Sequence, residues 1–386
     1  MTGLKEQNSD SVINVIDEFD YSTQSDSYNK RFIAWRKEKS NPYAFNYSVN
    51  GKESVFIDGK GFVNTSVAEI ESVILGRLLS LIGASVLIMA AVDNVFQKLF
   101  IQLLDLLGVN VHESFYNSVI YGGCTEVTAV LIVVTSLKLL IPLIFLRRKL
   151  RMPVRLAYPL ELKNGKELIL AIAAALIISV ITSIPRAYSE GTKELFEFFR
   201  AYNTDVSMWG QQEFLIYSLF DIIAVPILFE CIFRGSMFTA LRQFGDVYAV
   251  IISSVISGLV MNDPYSMLVM MLVSYVAAVG ALRSGTIYTA IVVHVINRVF
   301  SLALALVETS TSQNMYIYRN LAMVAVFVAG VVLFAVVANS KGVKHVRGIA
   351  KDSSRIPLAV KLLGSFKVLI FSAAVLICLI AALVNL

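Results

Sequence analysis

Polar side chains occur within stretches of this sequence that are otherwise apolar enough to cross a bilayer. An ionisable group in hydrocarbon costs at least about 2.5–3.5 kcal/mol, so it needs a partner, a water-filled cavity or a function. Carboxylates and an imidazole can activate water or hold a metal ion, and a guanidinium can stabilise an oxyanion. The candidate site residues are Glu126, Asp221, Glu230, Arg234, His294, Asn297 and Arg298.

The spacing of these residues places several of them on shared helix faces. Glu230 and Arg234 are four residues apart, and so are His294 and Arg298, so each pair lies on one face of a helix. Asn297 lies on the neighbouring edge of the second helix. Two polar faces at similar depth indicate a common buried site. The spacing leaves open whether this site is a functional cavity or a polar clamp that only joins helices.

The composition indicates which kind of helix must position these residues. Hydrophobic residues make up 56% of the 386-residue chain and charged residues only 16%, whereas a soluble domain carries roughly 25% charged residues. The chain therefore exposes apolar side chains to a lipid bilayer. Its three cysteines lie in apolar runs, and no Cys/His cluster predicts a disulfide framework or a structural metal site.

The apolar stretches predict an all-α fold, a polytopic transmembrane helix bundle. A spanning helix needs about 20 mostly apolar residues, and nine stretches are candidates, of which the fifth and sixth are short. Pro226 predicts a kink or break in the fourth. The predicted spans are 73–92, 118–146, 168–185, 214–233, 247–261, 267–282, 287–307, 321–338 and 368–384.

The lysines and arginines predict the orientation of the bundle. They concentrate in the loops 147–166 and 341–367, whereas 308–314 contains none. By the positive-inside rule, the N-terminus and both basic loops are cytoplasmic, and the C-terminus lies outside the cell membrane. The net charge of +5 then reflects topology and attraction to anionic lipid headgroups, and we expect no nucleic-acid partner.

The chain divides by composition into a polar segment, 1–70, and a transmembrane domain, 71–386. We expect the polar segment to be cytoplasmic and its acidic, serine-rich stretch 10–29 to be disordered. Within 47–56, an Asn-Gly pair between β-prone residues makes a hairpin possible. A loosely packed tail is the preferred interpretation of this segment.

Two stretches carry a resemblance to a known family. Residues 226–235 read Pro-Ile-Leu-Phe-Glu-Cys-Ile-Phe-Arg-Gly, and residues 283–294 read Arg-Ser-Gly-Thr-Ile-Tyr-Thr-Ala-Ile-Val-Val-His. They resemble the first and last motifs of the CAAX protease and bacteriocin-processing (CPBP, or Abi) family of intramembrane proteases. In that family a proline precedes a Glu-Glu pair, and an Arg-Gly pair follows after three residues. The resemblance covers about 214–300 and implies a CPBP/Abi-like core there.

The chain departs from the family at most of the positions that the resemblance assigns to catalysis. Phe229 stands where the family has its first glutamate, which is thought to activate the attacking water, and Glu230 matches the second. In the middle motif, Phe-x-x-x-His, Ser257 replaces Phe and Met261 replaces His. Arg298 stands where the last motif has Asn. Of the four residues that the resemblance assigns to hydrolysis, only His294 is kept at its own position.

Two functional hypotheses follow from this resemblance. The first is a catalytically impaired protease homologue that binds a membrane protein or a lipid-linked partner and needs no cofactor. The alternative is an active intramembrane protease with a rearranged site built on Glu230 and His294, aided by Asp221 or Glu126. A divalent metal such as zinc belongs only to this alternative. Buried charges also occur in transporters, but the two halves of the chain show no inverted repeat.

Overall fold

The computed structural model describes most of the chain. The described residues are 12–13, 24–36, 38, 41–43, 47–50, 55–57, 61–63, 67–113, 120–162, 164–187, 211–261, 263–308, 314–340 and 356–384.

The described part of the chain is built mainly from α-helices. The first six are α1 (Asp26–Arg36), α2 (Val67–Ala91), α3 (Gln97–Leu106), α4 (Cys124–Leu150), α5 (Val154–Ala157) and α6 (Gly165–Ala187).

The remaining helices begin at residue 211 and include those of the segment 214–300, which carries the resemblance described above. They are α7 (Gln211–Leu219), α8 (Val225–Glu230), α9 (Thr239–Leu241), α10 (Asp246–Leu259), α11 (Pro264–Ser284), α12 (Ile287–Glu308), α13 (Met315–Ala338), α14 (Leu358–Ser365) and α15 (Leu369–Val384).

The helices form a multi-pass membrane bundle, so the predicted all-α polytopic fold is confirmed. Seven helices of the described residues are long and apolar enough to cross a bilayer, or eight if Leu358–Ser365 and Leu369–Leu383, bent by 69°, count as one span. Each of the nine predicted spans corresponds to an apolar helix. The fifth differs because α10 has only 14 residues, or about 21 Å at 1.5 Å per residue. It is therefore shorter than the hydrocarbon core and largely buried among other helices.

Helices α7 to α9 belong to one long helix, Gln212–Phe244. Two π-helical stretches, Phe220–Ala224 and Cys231–Phe238, lie within it. Of the kink or break expected at Pro226, a break does not occur, since the chain stays helical from Gln212 to Phe244 and the proline occupies the first turn of α8 directly after a π-helical stretch. Wider π-helical turns of this kind often occur at functional sites. We call this element the compound helix.

Close helix contacts hold the bundle together. Helix α6 packs along α13 and α11, and α11 packs along α10 and α12. A Cβ atom at Gly83 of α2 would lie 2.8 Å from the Cα of Phe371 in α15, so only glycine permits this backbone approach. Asp263 caps α11 by accepting a hydrogen bond from the Ser266 N–H at 2.8 Å. Gly285 ends α11 in the left-handed conformation (φ 80°) and turns the chain into α12.

The segment before α2 contains both helix and strand. The prediction of disorder over 10–29 is wrong at the end of that stretch, because residues 26–29 form the first turn of α1. In this helix Tyr28, Phe32 and Trp35 are buried. The Trp35 indole N–H donates a hydrogen bond to the Leu150 carbonyl at 2.9 Å, which fixes α1 to the end of α4. Burial of apolar side chains at i, i+4 and i+7 accounts for this helix.

Short strands accompany the helices. They are β1 (Val12–Ile13), β2 (Tyr47–Asn50), β3 (Val55–Ile57), β4 (Gly61–Val63), β5 (Val111–Glu113) and β6 (Ile120–Gly122). Strands β1 to β4 form one antiparallel sheet in sequence order, and β2, which ends at the Asn of the Asn-Gly pair, pairs with β3 in the register Tyr47↔Ile57. Strands β5 and β6 form a separate antiparallel pair. The division of the chain at residue 70 stays a prediction.

Candidate functional site

The compound helix and α12 bring three of the predicted site residues together. The Glu230 carboxylate lies 3.4 Å from Nε of Arg234, one turn along the same helix, through its Oε2. Its other oxygen, Oε1, lies 3.2 Å from Nδ1 of His294 on α12. All three side chains are at most 2% exposed. The carboxylate therefore joins two helices in the middle of the bundle, as the shared polar faces predicted.

The guanidinium of Arg234 extends this cluster to two further helices. Its Nη1 donates a hydrogen bond to Ser257 Oγ of α10 at 3.2 Å, and its Nη2 donates to the Ser274 carbonyl of α11 at 2.8 Å. Ser257 in turn donates to the Ser253 carbonyl. Ser257 stands at the phenylalanine position of the family's middle motif, where its small side chain leaves room for the guanidinium. Arg234 thus connects three helical elements.

The π-helical stretch around Arg234 keeps its carbonyl groups satisfied. In such a stretch the backbone N–H groups bond carbonyls five residues back. Hydroxyl groups follow the same spacing here, because Ser236 Oγ donates to the Cys231 carbonyl at 3.3 Å and Thr239 Oγ1 donates to the Arg234 carbonyl at 3.2 Å.

Gly235 lies directly against the ring of Tyr158, where a Cβ atom would clash. The segment after α4 therefore supports the helix at the site.

Phe229 covers one side of the histidine. Its ring meets the imidazole of His294 edge-on, with 5.0 Å between ring centroids and 83° between ring planes. A second ring, that of Phe233, packs against Phe229 at 4.3 Å. Phe229 is 2% exposed. An apolar ring therefore fills space beside the imidazole at the position where the family has its first glutamate.

The hydrogen bond to Glu230 defines which nitrogen of His294 carries the proton. An ionised Glu230 carboxylate can only accept hydrogen bonds, so Nδ1 is the donor in this pair. In a neutral imidazole, Nε2 is then the unprotonated nitrogen. It is buried and has no hydrogen-bond partner among the described residues. This tautomer is the one that a general base uses.

The other candidate residues lie around this cluster. Arg298 and Asp221 form a second pair, with Nη1 3.4 Å from Oδ1, and their side chains are 30% and 28% exposed. Asn297 points to α6, where its Nδ2 donates to Ser179 Oγ at 3.1 Å. Asn297 therefore does not replace the family's asparagine beside the histidine. Arg298 at that position is already engaged by a carboxylate.

Glu126 and Met261 do not join the cluster. Glu126 lies in the first turn of α4, and its carboxylate lies against Gly123. Within the described residues no hydrogen bond or ion pair connects it to Glu230, His294 or Asp221. Met261 follows α10, where it is partly buried and packs against the main hydrophobic core. Met261, at the histidine position of the family's middle motif, is thus a packing residue.

The structure contains a further charged pair in the apolar helices, which the motifs and spacings described above did not predict. Lys138, in the middle of α4, forms an ion pair with Asp93 in the π-helical stretch Val92–Phe96 that follows α2. Its Nζ also donates to the Val260 carbonyl at 3.0 Å, at the end of α10. A lysine in the middle of an apolar span was the available signal for this pair.

The described residues do not fit a metal centre. A catalytic zinc site uses three protein ligands and leaves one position open. Only Glu230 and His294 meet here, and within the described ranges no group of three or more His, Cys, Asp or Glu side chains could hold a metal ion.

Comparison with known families finds a match, over the segment that contains these residues. A family model described as type II CAAX prenyl endopeptidase Rce1-like matches residues 211–300. This segment is therefore similar to the Rce1-like family. The resemblance expected from 214–300 is thereby confirmed, and the Rce1-like segment extends from α7 to within α12, so it contains the Glu230 cluster. No curated protein and no solved structure is found to match the chain.

Proposed function

We propose that the protein is a catalytically impaired homologue of the Rce1-like proteases that acts by binding a membrane protein or a lipid-linked partner. The family match supports a protease scaffold. The substitutions and contacts within that scaffold support the loss of hydrolysis. We further propose that it lies in the cell membrane with a cytoplasmic N-terminus, as the distribution of basic residues predicts.

The contact of Phe229 with His294 is the observation that carries this proposal. Hydrolysis of a peptide needs a base or a metal ion to activate water. The family position for that base holds a buried phenyl ring, which neither accepts a proton nor orients water. The neighbouring carboxylate, Glu230, is engaged by both Arg234 and His294. The retained charges therefore serve to hold helices together.

The proposal predicts binding of a prenylated peptide without its cleavage. The full-length protein is reconstituted in liposomes and titrated with a fluorescent, farnesylated CAAX peptide, and the peptide is recovered and analysed by mass spectrometry. We expect saturable binding and intact peptide. An unfarnesylated peptide of the same sequence is the control for lipid-dependent recognition. Loss of the peptide's C-terminal residues in a His294-dependent manner would contradict the proposal.

One observation favours the alternative, an active protease with a rearranged site. His294 is held by Glu230 in the tautomer of a general base, and its Nε2 is buried without a partner in the described structure. A water bound at Nε2 would complete a carboxylate–histidine–water arrangement. Under this alternative, cleavage requires both Glu230 and His294. The attacking water is activated by His294, whose Nδ1 is held by Glu230.

The two candidates differ in their response to Glu230→Gln. Glutamine keeps a hydrogen-bond acceptor for Nδ1 but removes the negative charge that stabilises an imidazolium. An active enzyme loses most of its rate with this change, as with His294→Ala. A binding protein keeps its affinity for the farnesylated peptide, provided that the variant remains folded.

A further inference from the structure

A crevice with a basic rim lies between α2 and α4, outside the Rce1-like segment. One face of α2, which includes Val73, Gly76 and Arg77, forms its first wall, and Phe145 and Lys149 of α4 form the second. These residues recur at intervals of three and four, so each wall is a continuous helix face. The crevice encloses about 650 Å³.

The chemistry of the crevice is divided between its walls and its rim. The walls are largely apolar and include Leu81 and Val368. Arg77 and Lys149 are both exposed, and none of the described residues that line the crevice is acidic. Neither cation forms an ion pair with another described residue. Within the described structure, the crevice thus offers positive charge beside apolar surface.

The position of the rim matches the depth of lipid headgroups. Lys149 belongs to the basic run that ends α4 and begins the loop 147–166, which the positive-inside rule places at the cytoplasmic surface. A second crevice of about 530 Å³ adjoins the first, shares Gly76 and Val368 with it, and has Lys367 among its lining residues. Cations from α2, α4 and the turn before α15 therefore surround one apolar groove.

We propose that this crevice binds an anionic phospholipid of the cytoplasmic leaflet. Its phosphate lies between Arg77 and Lys149, and an acyl chain lies along Leu81 and Phe145, each one helical turn further into the membrane than the neighbouring cation. Two cations with no acidic side chain among the described lining residues complement a net negative headgroup, whereas a zwitterionic headgroup brings a cation of its own. The apolar walls favour a lipid over a free phosphate ion, because inorganic phosphate gains nothing from apolar surface. This site is independent of the function proposed for the Glu230 cluster.

Native mass spectrometry of the detergent-purified, full-length protein tests the site. The protein is titrated with phosphatidylglycerol and with phosphatidylcholine of the same acyl chains. We expect preferential binding of phosphatidylglycerol. The double variant Arg77→Gln/Lys149→Gln should weaken that binding about tenfold or more, since each basic residue near an anionic lipid surface contributes on the order of a factor of five.

A matched variant separates the crevice from general surface charge. Arg148→Gln/Arg155→Gln removes the same charge from two exposed residues that do not line the crevice. We expect this variant to keep the affinity for phosphatidylglycerol. Equal losses in both double variants, or equal binding of the two lipids by the native protein, would overturn the proposal.

A neutral variant tests whether a lipid occupies the groove. A Cβ atom at Gly76 would meet only Val368 among the described residues, at an ordinary contact distance of 3.9 Å. Gly76→Leu therefore places a larger side chain in the groove without a clash at its own Cβ, and leucine favours the helix more than glycine does. We expect weaker binding of phosphatidylglycerol without a loss of thermal stability in detergent. Unchanged binding by this variant, or full competition by inorganic phosphate, would show an anion site without a lipid and overturn the proposal.

Discussion

The ring of Phe229 meets the imidazole of His294 edge-on, with 5.0 Å between the ring centroids. Position 229 is where the CPBP resemblance places the glutamate that is thought to activate water. An aromatic edge on an aromatic face is a packing contact worth about 0.5–1.5 kcal/mol beyond the buried area. This chain thus has a packing contact at the position where the resemblance places an acid, and Glu230 and Arg234 lie nearby.

Replacing Phe229 tests whether the ring is a structural element. Phe229→Leu should lower the free energy of unfolding by about 1 kcal/mol, because it leaves a small gap beside the imidazole. Phe229→Glu should cost several times more, since it buries a second carboxylate beside Glu230. Thermal unfolding in detergent measures both. Equal stability of the two variants would indicate a polar, hydrated pocket in place of a packed one.

The Glu230–Arg234 pair should show strong non-additivity. Arg234→Met leaves a buried carboxylate without its guanidinium, which costs about 3–5 kcal/mol. Glu230→Gln/Arg234→Met removes both charges and should lose less than the sum of the single variants. A double-mutant cycle from denaturant unfolding checks this expectation. Additive losses would mean that the two side chains are not coupled.

The Lys138–Asp93 pair, which lies outside the Rce1-like segment, allows a second double-mutant cycle by denaturant unfolding. The pair is partly screened, with side chains 15% and 12% exposed, so we expect a coupling free energy of about 1–2 kcal/mol. Lys138→Met should cost more than Asp93→Asn, because only the lysine also bonds the Val260 carbonyl at the end of α10. The reverse order would show that the bond to Val260 contributes little.

We predict that the docking of α1 weakens at high pH, because Tyr28 is buried in the docked state. Burial raises the pKa of its hydroxyl above the ordinary value, and the nearby Arg242 guanidinium offsets part of that rise. The folded state thus holds the proton more tightly than the unfolded state. The contribution of Tyr28 is therefore full below about pH 10 and is lost as the pH rises further.

Trp35 reports this transition, because its indole N–H bonds to α4 in the docked state. In a Trp209→Phe background, we expect its fluorescence to change as the pH is raised above about 10. Tyr28→Phe removes the titrating group and should abolish that step. A step that persists unchanged in Tyr28→Phe would assign it to another residue.

Local periodicity predicted the helices and much of the site. The i, i+4 spacing correctly placed Glu230 with Arg234, and the matching depth of two apolar spans anticipated the contact with His294. The one-residue offset of Asn297 likewise corresponds to its turn towards α6. These features depend on helix geometry, which the sequence expresses directly.

Features that depend on packing between distant segments were not predictable in the same way. Lys138 meets Asp93 across 45 positions of chain, and no local pattern relates them. The π-helical stretch Phe220–Ala224 lies just before Pro226, and local sequence did not indicate it. Helix α1 has buried aromatic residues at helical spacing, but its polar composition obscured them.

Single-turnover cleavage of a farnesylated CAAX peptide tests the central claim most directly. Reconstituted protein in excess over peptide is compared with its His294→Ala variant, and a catalytically active Rce1-type protease serves as the positive control. If Phe229 and the paired charges have replaced the catalytic site, the native protein and the variant leave the peptide equally intact. Cleavage by the native protein that His294→Ala abolishes would contradict the claim.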